Sequence, residues 1–162
     1  MTNAFWTQLL DMVEYTDYIA TFCDPDRQIL EIEPYTYTVD GNALSANITM
    51  TAPQVFNTQM EGDSDFVLTY LSAFGRVNAE TALRVNPALL VQIAEVTTGR
   101  TFFSGPSPLP MVAGQGGFPF LLTGPKVIRA RSRLQITVTA AQAVQWSGFY
   151  FCYHGARIWY GS

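Results

Sequence analysis

Apolar and polar residues alternate through residues 128–139, and this alternation predicts a half-buried strand. The odd positions are all polar, whereas the even positions are mostly apolar. A period of two is typical of a strand with one face in a core. Residues 149–160 are apolar on both faces, so this second strand needs cover on both sides. We expect these two strands to organise the rest of the chain.

Shorter segments with strand-like alternation precede this pair, and turn signals separate them about every ten residues. They are residues 27–39, which have the pattern of an edge segment, and residues 44–51, 65–73, 88–96, 101–104 and 118–122. Roughly seven or eight short strands with few helices predict an all-β fold. The predicted architecture is an antiparallel β-sandwich of jelly-roll type.

The first 42 residues form a predicted N-terminal arm, which contains a short helix and an extended segment, and residues 43–162 form the β-sandwich domain. Apolar residues recur at helical spacing from residue 3 to residue 19. Aromatic and β-branched residues disfavour the second half of this helix, so we predict only its first two or three turns. The helix either caps the sandwich or reaches a neighbouring chain through Phe5 and Trp6.

A proline- and glycine-rich stretch, residues 105–117, predicts a long connection with little regular hydrogen bonding. Loops of this length are uncommon in compact domains unless they have a function. Contact with another chain is the function we expect here. The candidate contact residues are Pro108, Pro110 and Phe118.

The composition fits one globular domain that assembles with other proteins. Of 162 residues, 48% are hydrophobic and 14% are aromatic, but only 14% are charged. Such a chain can bury a sizeable core, yet so many aromatic side chains predict that some face a partner. The N-terminus has no basic signal region and no apolar run is long enough for a membrane helix, so we expect neither export nor a membrane partner. Cys23 and Cys152 are expected to be free thiols.

Charge is divided unequally between the two halves of the chain. Residues 1–75 contain eleven acidic residues and one arginine, net −10, whereas residues 76–162 contain eight basic and two acidic residues, net +6. The halves either neutralise each other inside one subunit or meet head to tail between neighbouring copies. Nucleic acid is not an expected partner, because the sequence pI is about 4.8 and no nucleic-acid-binding motif is present.

Three arginines, Arg129, Arg131 and Arg133, are predicted to share one face of the strand at residues 128–139. This face is either a solvated or edge-strand surface, or a surface for an anionic partner. The second alternative follows from arginine's planar bidentate pairing with carboxylates. The acidic half of another copy would be such a partner.

Residues with catalytic or metal-binding chemistry are few. His154 is the only histidine, and Cys152 on the same strand face stands about 7 Å away, beyond hydrogen-bond reach. Two cysteines and one histidine fall short of a structural zinc site. The carboxylates in residues 61–65 form either a solvated turn or a calcium-type oxygen cluster. We therefore expect no enzyme activity and no cofactor.

A series of short motifs runs through residues 44–160. It comprises Asp65-Phe66-Val67-Leu68, Val91-Gln92-Ile93, Gly99-Arg100-Thr101-Phe102-Phe103-Ser104, the proline loop, Gly124-Pro125, Leu134-Gln135-Ile136-Thr137-Val138 and Tyr153-His154-Gly155. In order and spacing, these motifs resemble small β-sandwich virion proteins of tailed bacteriophages.

The resemblance implies a structural role in the virion, after synthesis in the host cytoplasm, as a head decoration protein, a minor capsid protein, or a neck or tail attachment protein. It implies a homo-oligomer that binds other virion proteins, such as the major capsid or connector protein. Phe5, Trp6 and residues 105–117 would then make the assembly contacts. An alternative class is a carbohydrate- or receptor-binding β-sandwich module, in which exposed Trp and Tyr side chains at a loop end would stack on a sugar.

Overall fold

The computed structural model describes residues 3–40, 53–77, 89–114, 120–140 and 146–161. The strand predicted at residues 44–51 lies outside these ranges, as does Phe118. The described elements are helix α1 (Asn3–Ala20), strands β1 (Ile29–Asp40), β2 (Gln54–Gln59), β3 (Asp65–Val77), β4 (Leu89–Glu95), β5 (Arg100–Thr101) and β6 (Ser107–Pro108), helix α2 (Leu109–Val112), and strands β7 (Phe120–Ile128), β8 (Arg133–Ala140) and β9 (Trp146–Tyr160).

The strands form two antiparallel sheets. One sheet has the order β1-β9-β3-β7, and the other has the order β2-β8-β4-β5, with β6 also paired to β4. The partners are nested along the chain, since β1 pairs with β9, β2 with β8, β3 with β7, and β4 with β5 and β6. The all-β prediction is therefore confirmed. In the described residues no helix is long and apolar enough to cross a membrane.

The main core lies where the two sheets contribute apolar side chains to one cluster. In β4, Leu89, Val91 and Ile93 are buried, and the residues between them are half-buried, as expected for a strand with one face inward. From the other sheet, β9 contributes Phe149 and Phe151 to the same cluster. The alternation in the sequence thus records which face of each strand meets the shared core.

Helix α1 covers the opposite face of the sheet that contains β9. Ile19 is fully buried in a second cluster with Val67 of β3 and with Ala156 and Ile158 of β9. The prediction that β9 needs cover on both faces is confirmed by these contacts. The helix also runs through residue 20, well beyond the two or three turns predicted, because burial of its apolar face outweighs the weak helix propensity of its second half.

The single strand predicted at residues 128–139 is wrong. β7 ends at Ile128, a turn follows in which the Ser132 N–H donates to the Arg129 carbonyl (3.1 Å), and β8 begins at Arg133 in the other sheet. The alternation continues unbroken because the turn contains four residues, an even number, so the even positions face the core on both sides of it. Ile128 and Leu134 consequently both point into the same core from opposite sheets.

The extended segment of the predicted arm forms β1, which lies at the edge of its sheet as expected. Its backbone pairs with β9 from Ile29↔Tyr160 to Asp40↔Tyr150. This strand is therefore hydrogen bonded into the sheet, while the domain boundary at residue 42 stays a prediction.

Candidate assembly surface

The proline-rich connection is anchored in the core and presents an apolar tip. Leu109, Val112 and Ala113 are buried, yet Pro110 is exposed and the Met111 side chain between them is 68% exposed. A short helix, α2, holds this part of the connection, contrary to the prediction of little regular structure. The tip is therefore fixed on a packed base and still offers apolar area to solvent.

A second exposed apolar side chain lies along the same edge of β3. Leu121 of β7 is 69% exposed and stands opposite Tyr70, whereas Gly114, which follows α2, bridges to Ser72 two residues further on. We call the set of Pro110, Met111 and Leu121 the loop surface. Pro108, another predicted contact residue, is half-buried and stands opposite Leu90 of β4.

The C-terminal half of helix α1 contacts the sheet. Met12, Tyr15, Ile19 and Phe22 recur at helical spacing, but Ile19 is fully buried whereas Met12 is 57% exposed. A cavity of about 440 Å³ is lined by Met12 and Tyr15 of the helix and by Tyr70 of the sheet. Phe5 and Trp6 belong to the same helix, and their interface role stays a prediction.

Arg129 is part of a charge cluster around the buried carboxylate of Asp65. Its Nη1 donates to Asp65 Oδ2 at 2.8 Å, and the Ala130 N–H donates to Asp65 Oδ1 at 2.8 Å. The Asp65 side chain is only 5% exposed, and Arg27 lies 3.6 Å from the same carboxylate. The hydrogen bond to Asp65 is the main cause that raises the pKa of Arg129, with a smaller charge effect from Asp24. Arg129 therefore stabilises the fold at this end of the molecule.

The prediction that the three arginines share one strand face is wrong. Arg131 lies in the turn between β7 and β8, with a positive φ of 63°, and Arg133 opens β8 in the second sheet. Both side chains are exposed, and neither forms an ion pair within the part of the chain that the structure describes. Of the three arginines, these two are the ones left for contact with an anionic partner, because Arg129 is paired with Asp65.

The acidic turn at residues 61–65 also pairs inside the subunit. Arg157 Nη2 lies 2.7 Å from Glu61 and 3.9 Å from Asp63, and its guanidinium packs over the ring of Trp159. A hydrogen bond from Trp159 is the main cause that lowers the pKa of Asp63. Among the described residues there is no group of three or more His, Cys, Asp or Glu side chains that could hold a metal ion.

These ion pairs bear on the unequal division of charge. Arg129 and Arg157 from the basic half meet Asp24, Asp65 and Glu61 from the acidic half. These groups neutralise each other inside one subunit, which is the first of the two alternatives. Contact between copies stays open for the exposed charges that remain.

His154 lies in a polar cluster on the outer face of the sheet. Its Nε2 is 2.7 Å from Ser72 Oγ on β3, its Nδ1 is 3.0 Å from Thr36 Oγ1 on β1, and its ring stacks on Tyr70 at 4.5 Å. Burial lowers the pKa of His154, so the imidazole is neutral at pH 7. One ring nitrogen then donates and the other accepts, and the histidine links three adjacent strands.

Sequence reasoning paired His154 with Cys152 and missed Ser72. Ser72 is 82 positions away, and only the register between β3 and β9 brings it to the histidine. A serine nucleophile also needs access to substrate and a group that orients the base. Ser72 is only 3% exposed, so a substrate has little access to it. The other ring nitrogen of His154 contacts the hydroxyl of Thr36. This geometry therefore suits hydrogen bonding between strands better than acyl transfer.

The two cysteines lie far apart. Cys23 Sγ donates to the Ile19 carbonyl at 3.5 Å next to Tyr160, whereas Cys152 Sγ lies 3.7 Å from Thr38 Oγ1. Eight positions of β9 separate Cys152 from Tyr160, a span of about 26 Å, and a disulfide allows only about 7 Å between Cα atoms. Both thiols are free, as predicted.

Comparison with known proteins returns no match of this chain to a protein family, and no relative among curated proteins.

Proposed function

We propose that this chain is a non-enzymatic structural protein of a tailed-bacteriophage virion, a capsid decoration or minor capsid protein that binds neighbouring coat subunits and further copies of itself. The observation that carries the proposal is the loop surface. It contains two strongly exposed apolar side chains: Met111, which lies between the buried Leu109 and Val112, and Leu121, which lies on strand β7. Attachment at the neck or tail would use the same chemistry at another position of the virion.

The nested strand pairing supports a jelly-roll classification. In a jelly roll, a long antiparallel ribbon is wrapped so that the first strand pairs with the last, the second with the next to last, and so on. The pairings β1–β9, β2–β8 and β3–β7 follow this rule. Strand β4 pairs with the two short strands β5 and β6, where the rule expects a single strand. Viral capsid domains are among the proteins built on this fold.

A rigid apolar surface suits assembly for energetic reasons. Full burial of a methionine or leucine side chain contributes about 1.5–3 kcal/mol. Because Leu109 and Val112 already fix the backbone next to Met111, little conformational entropy is lost when a partner covers it. The loop surface can therefore add net binding energy even though its area is small.

The alternative of a sugar-binding module needs free aromatic platforms. At the end of the sheets that carries the charge clusters, Arg157 occupies the faces of Tyr35 and Trp159, and Arg27 lies over Tyr160. These rings already have cationic partners, which favours the assembly interpretation at this end.

Sedimentation velocity of the purified chain tests the proposal. We expect wild-type protein to form species larger than the 18.0 kDa monomer, and Met111→Asp combined with Leu121→Asp to shift it towards monomer without a change in unfolding midpoint. Val55→Asp is the matched control, since Val55 is an exposed apolar residue of β2 outside the loop surface. An unchanged distribution for the double variant would remove the role proposed for this surface.

A further inference from the structure

A separate cavity opens at the side of the molecule, between the edge strand β7 and the end of β4. Its volume is about 390 Å³, within the range of small-molecule sites. Glu95 of β4, Arg100 of β5 and Lys126 of β7 all line it, together with the half-buried side chains of Phe102 and Pro125. The cavity therefore combines one acidic group, two basic groups and apolar walls.

Glu95 occupies a position where the strand pattern calls for an aliphatic residue. Leu89, Val91 and Ile93 point into the core, and Glu95 continues the same face with 3% exposure. Thr98 Oγ1 donates to its Oε2 at 2.7 Å. A buried carboxylate is costly unless it is paired, and no described cation forms an ion pair with it. Thr98 is a neutral donor, so within the described residues no ion pair balances the charge of the Glu95 carboxylate.

Arg100 and Lys126 are exposed at the same cavity. Neither forms an ion pair with another described residue. Arg100 stands directly opposite Glu95 in the pairing of β5 with β4, yet no ion pair joins their side chains. The lining of the cavity therefore offers an acidic site and a basic site. A ligand that bridges the two sites would satisfy both.

We propose that this cavity binds a small zwitterion that carries both an amine and a carboxylate, of which a free α-amino acid is the simplest form. The amine would donate to Glu95, and the carboxylate would accept from Arg100 and Lys126. The apolar side chain of such a ligand would contact Phe102 and Pro125. This inference does not depend on the virion role, because it concerns a different part of the surface.

Other ligand classes fit the charges less well. A simple anion such as phosphate would meet the two basic residues but would be repelled by the carboxylate of Glu95. A metal cation or a simple amine would meet Glu95 but would be repelled by Arg100 and Lys126. A ligand that carries both charges matches the lining of the cavity better.

Isothermal titration calorimetry with the twenty standard L-amino acids is the first experiment. We expect at least one to bind the full chain with a dissociation constant of about 1 mM or tighter. The N-acetyl and the amide derivatives of the strongest ligand then serve as matched probes, because each lacks one of the two charges. Each should bind at least tenfold more weakly. Absence of binding by all twenty, or equal binding of either blocked derivative, would overturn the proposal.

Glu95→Gln separates a binding role from a purely structural one. The amide keeps an acceptor for Thr98 but removes the buried charge, so the variant should unfold at an equal or higher temperature and lose amino-acid binding at least tenfold. Lys126→Gln should weaken binding without a change in unfolding temperature. Should Glu95→Gln fail to fold, the blocked derivatives on wild-type protein decide alone. Undiminished binding by a folded Glu95→Gln would contradict the proposed site.

Discussion

The phenol of Tyr153 lies in the main core without a hydrogen-bond partner among the described residues. The residue is fully buried, and this burial raises its pKa far above the usual value. A buried polar group left without a partner costs about 1–3 kcal/mol. The ring itself, however, packs edge-on against Phe151 at 5.1 Å. The hydroxyl and the ring of this one residue thus have opposite effects on stability.

Replacement of Tyr153 should separate these effects. Tyr153→Phe removes only the hydroxyl, and we expect the free energy of unfolding to stay equal or rise by up to about 1–2 kcal/mol. Tyr153→Ala also removes the ring and should lower it by about 3–5 kcal/mol. Urea denaturation measures both. A loss greater than about 1 kcal/mol for Tyr153→Phe would mean that the hydroxyl is in fact bonded.

The pH dependence of stability should carry a contribution from His154. Burial lowers its pKa in the folded state below the ordinary value near 6.5, so the unfolded state binds the proton more readily. The contribution of His154 to the free energy of unfolding is therefore fully present above about pH 6.5. It decreases as the pH falls through that value towards the folded-state pKa. The NMR titration of the only imidazole in the chain gives this pKa directly.

The control for this titration is His154→Gln, which should lose the decrease in unfolding free energy between about pH 6.5 and the folded pKa. Carboxylates that titrate at lower pH remain in both proteins. An imidazole that titrates at or above 6.5 in the folded protein would contradict the account of this cluster.

At the level of elements, the pairing of β3 with β9 depends on a close backbone approach. The register shifts between Leu68 and Tyr70, and Gly155 stands opposite Leu68 at this irregularity. A Cβ atom on Gly155 would lie 1.9 Å from the Val67 carbonyl oxygen. A side chain at this position would therefore force the two strands apart.

Gly155→Ala should lower the free energy of unfolding by at least about 1–3 kcal/mol, because the clash is with backbone that cannot rotate away. Gly124→Ala is the matched control, since no atom lies within 4 Å of a Cβ at that position, and it should change stability by less than about 0.5 kcal/mol. Guanidinium denaturation compares the two variants. Equal stability of Gly155→Ala and wild type would show that this register is wrong.

The three arginines at and after the turn between β7 and β8 should differ in their effect on stability. Arg129→Gln leaves Asp65 with weaker partners and should cost about 1–3 kcal/mol of unfolding free energy. The double variant Arg131→Glu and Arg133→Glu should stay within about 0.5 kcal/mol of wild type. It should instead slow association with an acidic partner, and sodium chloride should have a similar effect on wild-type protein.

Thermal melts and association rates measured on the same variants distinguish these effects. If Arg131→Glu with Arg133→Glu associates at the wild-type rate, this pair is simply a solvated surface. If Arg129→Gln melts as wild type does, the ion pair with Asp65 contributes nothing to the fold.

Local pattern predicted the elements better than their ends. The alternation located β3, β4 and β9, because each has one face or both faces in a core. The alternation could not separate β7 from β8, because even positions face the core both before and after the turn. It also underestimated α1, whose second half is held by contacts of Ile19 with residues more than forty positions away. Those contacts are absent from any local pattern.

For the whole molecule, composition and alternation predicted an all-β chain, and the two-sheet structure confirms it. The candidate surface was predicted less well. Pro110 lies at an exposed tip, but the exposure of Met111 and Leu121 depends on how α2 packs, which the sequence does not reveal. The cavity beside Glu95 was missed for the same reason, since its lining residues come from separate strands.

The virion assignment has a direct test in electron microscopy of tailed phage particles purified from cells in which this chain is produced. Gold-labelled antibodies against the purified chain should bind intact particles at regular positions on the head, and particles that lack the chain should stay unlabelled. Regular labelling at the neck or tail would place the same structural role elsewhere in the virion. The proposed function would be contradicted if the particles carried no label and the protein stayed entirely in the unassembled fraction.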